Sequence, residues 1–453
     1  MKTINVQEII DQARFNGFHK LLVFWCFIMI VFDVYDLVVF GVVLPVLMEE
    51  WNLTPVQAGA LGSYALFGMM FGAFIFGALS DRIGRKICIV ICMLTFTIFS
   101  FLVAFSTGPA SFGIMRFVAG FGIGGLMPNA VALMTEYAPK KIRSLLTTLM
   151  FSGYAVGGIL AACLGIWLIP DYGWKSLFYI GTLPILLIPL IIKSIPESIG
   201  FLVIKNKKDE VQKVLKKIEP NFIPHSDDQY YIPGKTAKVN IGQLFSNGRL
   251  ISTLMFWITF FMCLLMVYGL NSWLPKLMTK AGYPLGSSLS FLLALNFGAM
   301  IGAIGGGWLG DKFHLRKVLI IFLSIAAVSL FLLGFKGSTI ALYVLIAIAG
   351  ATTIGTQILL YTYVAQFYPM DARSTGIGWA SGVGRVGGIV GPLLGGYLIS
   401  MNLPFQYNFL VFAIPGAIGA LAICFVSLKY AFKNSVQSNE HPNLQTQPVH
   451  PNT

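Results

Sequence analysis

Long apolar runs separated by short polar stretches dominate the chain. Most of them are close to the roughly 20 residues that an α-helix needs to cross the hydrocarbon core of a bilayer. Their number and length predict twelve membrane-spanning helices. The runs cover residues 21–44, 56–79, 87–106, 111–134, 145–168, 175–193, 251–275, 286–309, 317–335, 339–364, 374–399 and 406–428.

The composition supports this prediction and excludes several other classes of protein. Of the 453 residues, 56% are hydrophobic and 11% are charged, against roughly 25% charged residues in soluble domains. All six cysteines lie in apolar runs without a CxxC motif, which indicates buried thiols and not metal ligands or disulfides. The sequence has no G-x-x-x-x-G-K-[ST] motif and no Ser-His-Asp, H-E-x-x-H or Cys cluster. We therefore expect neither an ATP-driven protein nor an enzyme, and no metal or other cofactor.

The net charge of +13 is distributed unevenly along the chain. If both termini lie on one side of the membrane, 25 of the 31 Lys and Arg residues fall in loops and tails on that side. The positive-inside rule then predicts that both termini are cytoplasmic. Because the cations are spread over short loops, they form no continuous face for nucleic acid. The opposite loops hold Lys175, Lys276, Lys280 and Lys336, and Arg116 and Arg385 lie inside apolar runs.

An internal repeat divides the chain into two halves. Glycines, a proline and charged residues recur at a constant offset of 230 residues, as in Gly77 and Gly307, Asp81 and Asp311, Gly120 and Gly350, or Arg143 and Arg373. Such repeats are typical of secondary transporters. We predict an all-α membrane protein of two six-helix halves. The predicted segments are a cytoplasmic N-terminal segment 1–20, a first bundle 21–193, a central cytoplasmic loop 194–250 with a surface helix at 211–218, a second bundle 251–428 and a disordered cytoplasmic tail 429–453.

The loop after the second run carries a specific motif. Residues 77–86 read GALSDRIGRK, which resembles the G-x-x-x-D-R-x-G-R-[RK] signature of the major facilitator superfamily. A degraded second copy begins at Gly307, one residue longer than the first. The fourth run begins RFVAGFGIGG at Arg116, similar to the R-x-x-x-G-x-G-x-G helix of that superfamily, and the sixth run is followed by PES at 196–198. The resemblance covers nearly the whole chain and implies the twelve-helix fold of that superfamily.

Within the superfamily, three segments resemble the aromatic acid/proton symporters, a family that contains benzoate, hydroxybenzoate and muconate carriers. Residues 33–36 read DVYD, similar to the D-G-x-D of that family, and 136–144 read EYAPKKIRS after the fourth run. Residues 61–72 look most like the benzoate carriers. Val34 stands where the family usually has glycine, a difference that bears on the cavity beside the aspartates.

Asp33 and Asp36 are three residues apart and share a face of the first predicted helix, with apolar residues on either side. Ionised carboxylates are costly inside a membrane and usually mark ion or proton pathways. Two close carboxylates favour protonation of one of them, as a proton carrier requires. The alternative is a structural pair bonded to a neighbouring helix. The family resemblance implies that both aspartates are needed for transport.

Arg116 and Arg385, one in each half, are the only cations inside the runs apart from lysines at the terminal positions of runs. A guanidinium group can hold a carboxylate with two parallel hydrogen bonds, so both are candidate ligands for an anion. Arg116 has an alternative as a brace between helices or as a partner of an aspartate of the first run. Arg385 has an alternative in a buried ion pair. We expect protonation of the two aspartates to release Arg116 for the substrate.

Charged residues at the predicted cytoplasmic helix ends are candidates for a gate. Ion pairs there would hold the halves together when the cavity opens outward and separate when it opens inward. The positive-inside rule explains the cations among them but not the carboxylates. The family resemblance implies that the positions of Glu136, Arg373 and Arg385 matter for transport and that His314 lies near a functional loop histidine. The candidate gating residues are Asp81, Arg85, Glu136, Arg143, Asp311, His314 and Arg373.

Aromatic and amide side chains on the helices expected to line the cavity are candidates for binding a ring. Each of them has ordinary helix packing or interface anchoring as its alternative. The candidates are Tyr35, Tyr268, Asn271, Trp273, Gln357 and Tyr361.

Together these features predict a bacterial inner-membrane symporter that imports benzoate or a hydroxylated relative with protons by alternating access. Its expected partners are the carboxylate, protons and the bilayer, with no obligate protein partner. The alternatives are the same fold carrying cis,cis-muconate, niacin or another organic acid, a proton-antiport exporter of toxic compounds, and a non-transporting sensor. A fifth run without the Gly-Pro pair of such exporters argues against export, and short loops argue against a sensor.

Overall fold

The computed structural model describes residues 3–223, 228–232, 241–246, 248–335, 337–368, 373–402 and 404–427, with the side chains of Ser144, Ile241, Asp311, Ser374 and Phe405 excepted. The predicted tail 429–453 lies outside these residues. Within them, twelve helical spans are long and apolar enough to cross a membrane, in agreement with the sequence prediction.

The spans are numbered 1 to 12 in chain order. Spans 5 and 6 each consist of two consecutive helices, and the other spans are single helices. The bounds are Gly17–Glu50, Pro55–Ile83, Arg85–Val103, Pro109–Tyr137, Arg143–Phe151 with Gly153–Tyr172, Lys175–Ile180 with Pro184–Ser194, Leu250–Lys280, Leu285–Lys312, Leu315–Leu333, Thr339–Phe367, Arg373–Ser400 and Phe405–Phe425.

Local signals explain where several spans begin. The Thr54 side chain accepts a hydrogen bond from the backbone N–H of Gln57, and the Gln57 side chain accepts one from the Thr54 backbone, which makes a capping box at the start of span 2. Gly84 separates spans 2 and 3 with a φ of 100°, a conformation that favours glycine. A Cβ atom at Gly84 would also lie 2.4 Å from the Glu197 carboxylate. This glycine of the sequence motif is therefore required by the backbone and by its surroundings.

The sequence repeat recurs in the helix contacts. In each half two glycines let one helix lie directly on backbone carbonyls of a second helix, span 2 on span 4 and span 8 on span 10. A Cβ atom at any of these glycines would come within about 2 Å of the carbonyl oxygen. The two sets of contacts are related by the same offset of 230 residues. The glycine and carbonyl pairs are Gly68 with Phe117 and Gly72 with Phe121 in the first half, and Gly298 with Ala347 and Gly302 with Ala351 in the second.

The loops lie at two ends of the bundle. We call the end that carries residues 84, 138–142 and 313–314 the charged-loop end, and the end that carries 51–54 and 281–284 the short-loop end. Most of the Lys and Arg residues outside the spans lie at the charged-loop end.

The N-terminal segment and the central loop pack together at the charged-loop end. Strand β1 (Thr3–Asn5) pairs in parallel with strand β2 (Gln229–Tyr231). A short helix, Val6–Gln12, follows β1 and buries Val6 and Ile10 completely. The surface helix predicted at 211–218 is confirmed as Lys208–Ile218, and its apolar face is buried. The N-terminal segment is thus tied to the central loop.

One of the contacts between the two halves follows a stripe of span 11. The Ser63 hydroxyl of span 2 donates to the carbonyl of Ile389 at 2.7 Å, and Gly59 lies against the carbonyl of Pro392. Seven and eleven residues before Ile389 the same stripe reaches Gly382 and Gly378, where a Cβ atom would meet nothing within 4 Å. The halves are therefore in contact toward the short-loop end and diverge toward the charged-loop end.

Candidate functional site

Asp36 and Arg116 form a buried ion pair between spans 1 and 4. An Arg116 Nη1–Asp36 Oδ2 distance of 2.6 Å joins them, and Nη2 donates to the backbone carbonyl of Asp36 at 3.0 Å. The hydroxyl of Ser100 donates to the other carboxylate oxygen. Both charged side chains are at most 3% exposed. This geometry matches the brace that the sequence left open as an alternative for Arg116.

Asp33 lies one turn before Asp36 but has a different environment. Its side chain is 2% exposed, and its Oδ1 atom has no hydrogen-bond partner in the described part of the chain. The charged group of Arg385 acts on it from the other half of the molecule. The two aspartates are thus neighbours in sequence, yet Asp36 is paired inside the first half, whereas Asp33 interacts with a charge of the second half.

Arg385 is placed at the boundary between the halves. Its Nη1 donates to the backbone carbonyl of Met69 in span 2 at 3.3 Å. Among the described residues, no carboxylate lies within 4.0 Å of its nitrogen atoms. Since a backbone carbonyl does not neutralise a guanidinium group, the positive charge of Arg385 is available to an anion.

Three tyrosines interact with one or both of these charged groups. Tyr268 and Tyr361, both predicted from the sequence, interact electrostatically with Arg385. Tyr154 of span 5 was not predicted, and its phenol group interacts with that of Tyr268 across the boundary between the halves. No motif marks Tyr154, and only its position in the fold identifies it as a site residue.

A small central cavity lies between the halves. Its volume is about 10 Å³, the space of roughly one water molecule. Arg116, Tyr154, Tyr268 and Asn271 contribute polar groups to its wall, and the apolar lining includes Leu37, Val38, Phe40 and Leu66. In this state the cavity is too small for an organic ligand, so binding of one requires the halves to separate.

Two predicted amides lie in this interior with an unused oxygen atom. The side-chain oxygens of Asn271 and Gln357 are buried and have no hydrogen-bond partner among the described residues. Asn271 lines the cavity, whereas Gln357 lies in span 10, one turn from Tyr361. Both residues keep the acceptor that a polar ligand or a water molecule would need.

Two predicted ring-binding side chains make hydrogen bonds to backbone carbonyls in this state, and their role in binding a ring stays a prediction. The Tyr35 hydroxyl donates to the carbonyl of Leu177 in span 6 at 2.8 Å, inside the first half. The Trp273 indole N–H donates to the carbonyl of Pro392 at 2.7 Å, and the ring packs on Gly395. Tyr35 follows Asp33 by two positions, and Trp273 follows Asn271 by two positions. Because a helix has 3.6 residues per turn, each of these two side chains points to the side of its helix that is opposite the site residue.

At the charged-loop end, two ion pairs involve predicted gating residues. Arg85 Nη2 lies 3.1 Å from Glu136 Oε1, and Arg143 Nη2 lies 2.5 Å from Asp11 Oδ1 in the N-terminal segment. Both pairs lie within the first half and its N-terminal segment. The partner Asp11 was missed because it belongs to a segment with no recognised motif.

Glu197 completes the arrangement around Glu136. Its Oε1 accepts hydrogen bonds from the backbone N–H groups of Lys86, at 3.1 Å, and Ser198, at 2.8 Å. The Ser198 hydroxyl in turn donates to Glu136 at 2.6 Å. The first turn of span 3 is therefore fixed by the PES segment after span 6, whose role the sequence pattern did not reveal.

The other predicted gating residues take no part in these pairs. Asp81 and His314 are exposed, and neither makes an ion pair with a described residue. Arg373 begins span 11, and its Nε atom is buried without a hydrogen-bond partner in the described part of the chain. The side chain of Asp311 lies outside the described atoms. Their gating role stays a prediction.

The sequence matches a known family over most of its length. The family model for the Major Facilitator Superfamily matches residues 26–306 and 294–450. The benzoate transport protein of Acinetobacter baylyi is 46% identical, over 94% of this chain and 93% of that protein. The gentisate transporter of Corynebacterium glutamicum is 38% identical, over 89% of this chain and 86% of that protein.

The fold also matches solved structures. A partially occluded, inward-open structure of the xylose transporter XylE from E. coli superposes with a TM-score of 0.71 and 18% identity, covering 89% of this chain and 98% of that one. At this identity the likeness concerns the fold alone.

Proposed function

The chain belongs to the major facilitator superfamily, and from that premise we propose that it imports a small aromatic carboxylate together with a proton by alternating access. The family and the relatives are transporters and not enzymes. Benzoate and hydroxylated benzoates are the proposed substrates, since the similar proteins include a benzoate and a gentisate transporter. The observation that carries the proposal is that Asp33 and Arg385 interact at the boundary of the halves, while neither forms an ion pair with a described residue.

Arg385 is the proposed ligand of the substrate carboxylate. Its guanidinium group forms no ion pair with a described carboxylate, and Tyr268 and Tyr361 interact with it electrostatically. The apolar wall of Leu37, Val38 and other side chains suits a ring. Arg116 is proposed as a brace that holds span 1 against span 4, because its charge is already paired with that of Asp36.

Asp33 is the proposed proton carrier. An uncompensated carboxylate inside a membrane protein is costly unless it binds a proton or a cation. A proton on Asp33 leaves the positive charge of Arg385 to the substrate. When the proton leaves, Asp33 becomes a competing anion for Arg385, which favours release of the carboxylate.

Coupling to a proton has an energetic reason. Moving one negative charge inward against 100 mV costs about 2.3 kcal/mol. One accompanying proton cancels this electrical cost, and the pH gradient then drives accumulation. No other energy source is needed in this scheme.

The orientation follows from the charged loops. We propose that the charged-loop end is cytoplasmic in a bacterial inner membrane, since it carries most of the Lys and Arg residues. The divergence of the halves at Gly378 and Gly382 then corresponds to an inward-facing state. The candidate gating residues would close this end in the outward-facing state.

The experiment that tests the proposal is uptake of labelled benzoate into right-side-out vesicles, with and without an imposed inward proton gradient. We expect gradient-driven uptake above that of empty vesicles, which correct for leakage of the neutral acid. Asp33→Asn should abolish it, while the matched Asp171→Asn, at an exposed position of the short-loop end, should not. Uptake equal to empty vesicles for benzoate and for a panel of hydroxylated benzoates, niacin and muconate would refute the aromatic-acid assignment.

A further inference from the structure

The polar groups of the central cavity differ in whether their hydrogen bonds are already made. The two terminal nitrogens of Arg116 are held by Asp36, and its Nε, a donor, has no hydrogen-bond partner among the described residues. The phenol groups of Tyr154 and Tyr268 interact with each other. Asn271 is only half satisfied. Its Nδ2 donates to the carbonyl of Val267 at 2.8 Å, one turn back on span 7, while its Oδ1 is buried without a hydrogen-bond partner among the described residues.

The orientation of the Asn271 amide is determined by this contact. A backbone carbonyl only accepts hydrogen bonds, so the NH₂ group must face Val267 and the oxygen must face away from it. The side chain is 5% exposed and belongs to the cavity wall. The cavity therefore has an acceptor whose donor is supplied by no protein group among the described residues.

A buried acceptor without a donor is costly, and a ligand that supplies the donor recovers that cost. The ring of benzoate has no such group, whereas a ring hydroxyl does. We propose that Asn271 Oδ1 accepts a hydrogen bond from a ring hydroxyl of the substrate, so that Asn271 selects hydroxylated aromatic carboxylates over benzoate. This inference rests on the proposed function and narrows its substrate class.

The placement of the neighbouring groups fits such a ligand. Tyr268 lies three residues before Asn271 on the same face of span 7, and it interacts with Arg385. Tyr268 is thus a neighbour of both Asn271 and Arg385. A ring beside Tyr268 is placed to offer its carboxylate to Arg385 and its hydroxyl to Asn271.

The test is competition binding with the full-length protein in nanodiscs. Labelled benzoate is displaced by unlabelled benzoate and by each of the three monohydroxybenzoates. For the wild type we expect at least one isomer to bind about fivefold or more tightly than benzoate. For Asn271→Leu, which has similar volume and no acceptor, we expect this preference to fall to within about twofold.

Asn296→Leu is the matched control. The Asn296 Nδ2 also donates one turn back, to the carbonyl of Leu292 at 3.0 Å, and its Oδ1 is also buried without a partner in the described region. It contacts Gly158 and does not belong to the cavity wall. We expect this variant to retain the wild-type preference.

Three outcomes would overturn the inference while leaving the proposed function intact. These are a wild type that binds benzoate as tightly as all three isomers, an Asn271→Leu variant that keeps the preference, and an Asn296→Leu variant that loses it equally. Binding of none of the four acids would instead overturn the proposed function, and the inference with it.

Discussion

The guanidinium group of Arg116 binds both the side chain and the backbone carbonyl of Asp36. One contact neutralises a charge, and the other fixes the position of span 1 relative to span 4. Removing one partner of a buried ion pair leaves the other charge uncompensated, at a cost of about 3–5 kcal/mol. The pair therefore contributes to the packing of the first half, independently of any ligand.

Asp36→Asn should lower the thermal stability of the purified protein. The remaining Arg116 charge would be buried with no anionic partner, whereas the exposed pair Lys207–Glu210 should contribute only about 0.2–1 kcal/mol. Thermal unfolding in detergent, followed by intrinsic fluorescence, measures the difference. Lys207→Ala is the control and should unfold near the wild-type temperature. Equal unfolding temperatures for Asp36→Asn and the wild type would contradict a brace.

Arg385→Gln should weaken binding of the carboxylate substrate about 10- to 150-fold. This factor corresponds to the free energy that a hydrogen bond to a charged group contributes. Arg385→Lys should weaken it less, because the charge remains while the planar fork is lost. Equilibrium binding of labelled substrate measures both. Arg316 also donates to a backbone carbonyl, that of Ile423 at 3.3 Å, but lies at the charged-loop end. Arg316→Gln should bind normally, and equal loss in both glutamine variants would argue against a ligand role.

Gly41→Ala should prevent the short-loop end from closing. A Cβ atom at Gly41 would lie 1.9 Å from the backbone carbonyl oxygen of Asn271, across the boundary of the halves. The variant should therefore favour the state that is open at this end and lose transport while it still binds substrate. The measurement is maleimide labelling of a cysteine introduced at Ser63, a buried position of the same boundary, which should become faster.

The control for this substitution is Gly286→Ala, because a Cβ atom there meets nothing within 4 Å. Transport and labelling should match those of the parent protein. If Gly41→Ala transports normally, the close approach of spans 1 and 7 is not needed in the cycle.

Asp11→Ala should remove the anionic partner of Arg143, which the sequence predicts as a gating residue, and leave it with its hydrogen bonds to the backbone carbonyl of Ala138. If Arg143 then helps to close the charged-loop end, maleimide labelling of a cysteine introduced at Gly378 should be slower from that side. We expect a decrease of about two- to fivefold, which corresponds to the free energy of a partly exposed ion pair. Glu210→Ala breaks an exposed pair at the same end and should leave labelling unchanged. Faster or unchanged labelling in Asp11→Ala would show that Asp11 does not restrain the gate.

The fold could be predicted from the sequence because its signals are local. Apolar length, the positive loops and the offset of 230 residues each depend on positions along one chain, and the glycine contacts of Gly68 and Gly298 repeat at that offset. Asp33, Arg116 and Arg385 were identifiable for a similar reason, since charges inside apolar runs are conspicuous.

The partners of these residues could not be predicted in the same way. Two aspartates on one face of span 1 have different surroundings, because Asp36 is paired with Arg116 of the same half and Asp33 interacts with Arg385 of the other half. Tyr154 looks like any tyrosine of a membrane helix until spans 5 and 7 are placed together. Tyr35 and Trp273 were assigned to the site by residue type, whereas the helical rotation of their positions turns them toward protein packing.

The pairing of β1 with β2 has a consequence for synthesis. Thr3 pairs with Gln229, 226 positions later, so at ~5–20 residues per second about 10 to 45 seconds pass before the second strand leaves the ribosome. During that time spans 1 to 6 enter the membrane, and β1 has no strand to pair with. Completion of this small sheet thus marks the moment when the first half has been made, before the second half begins to insert.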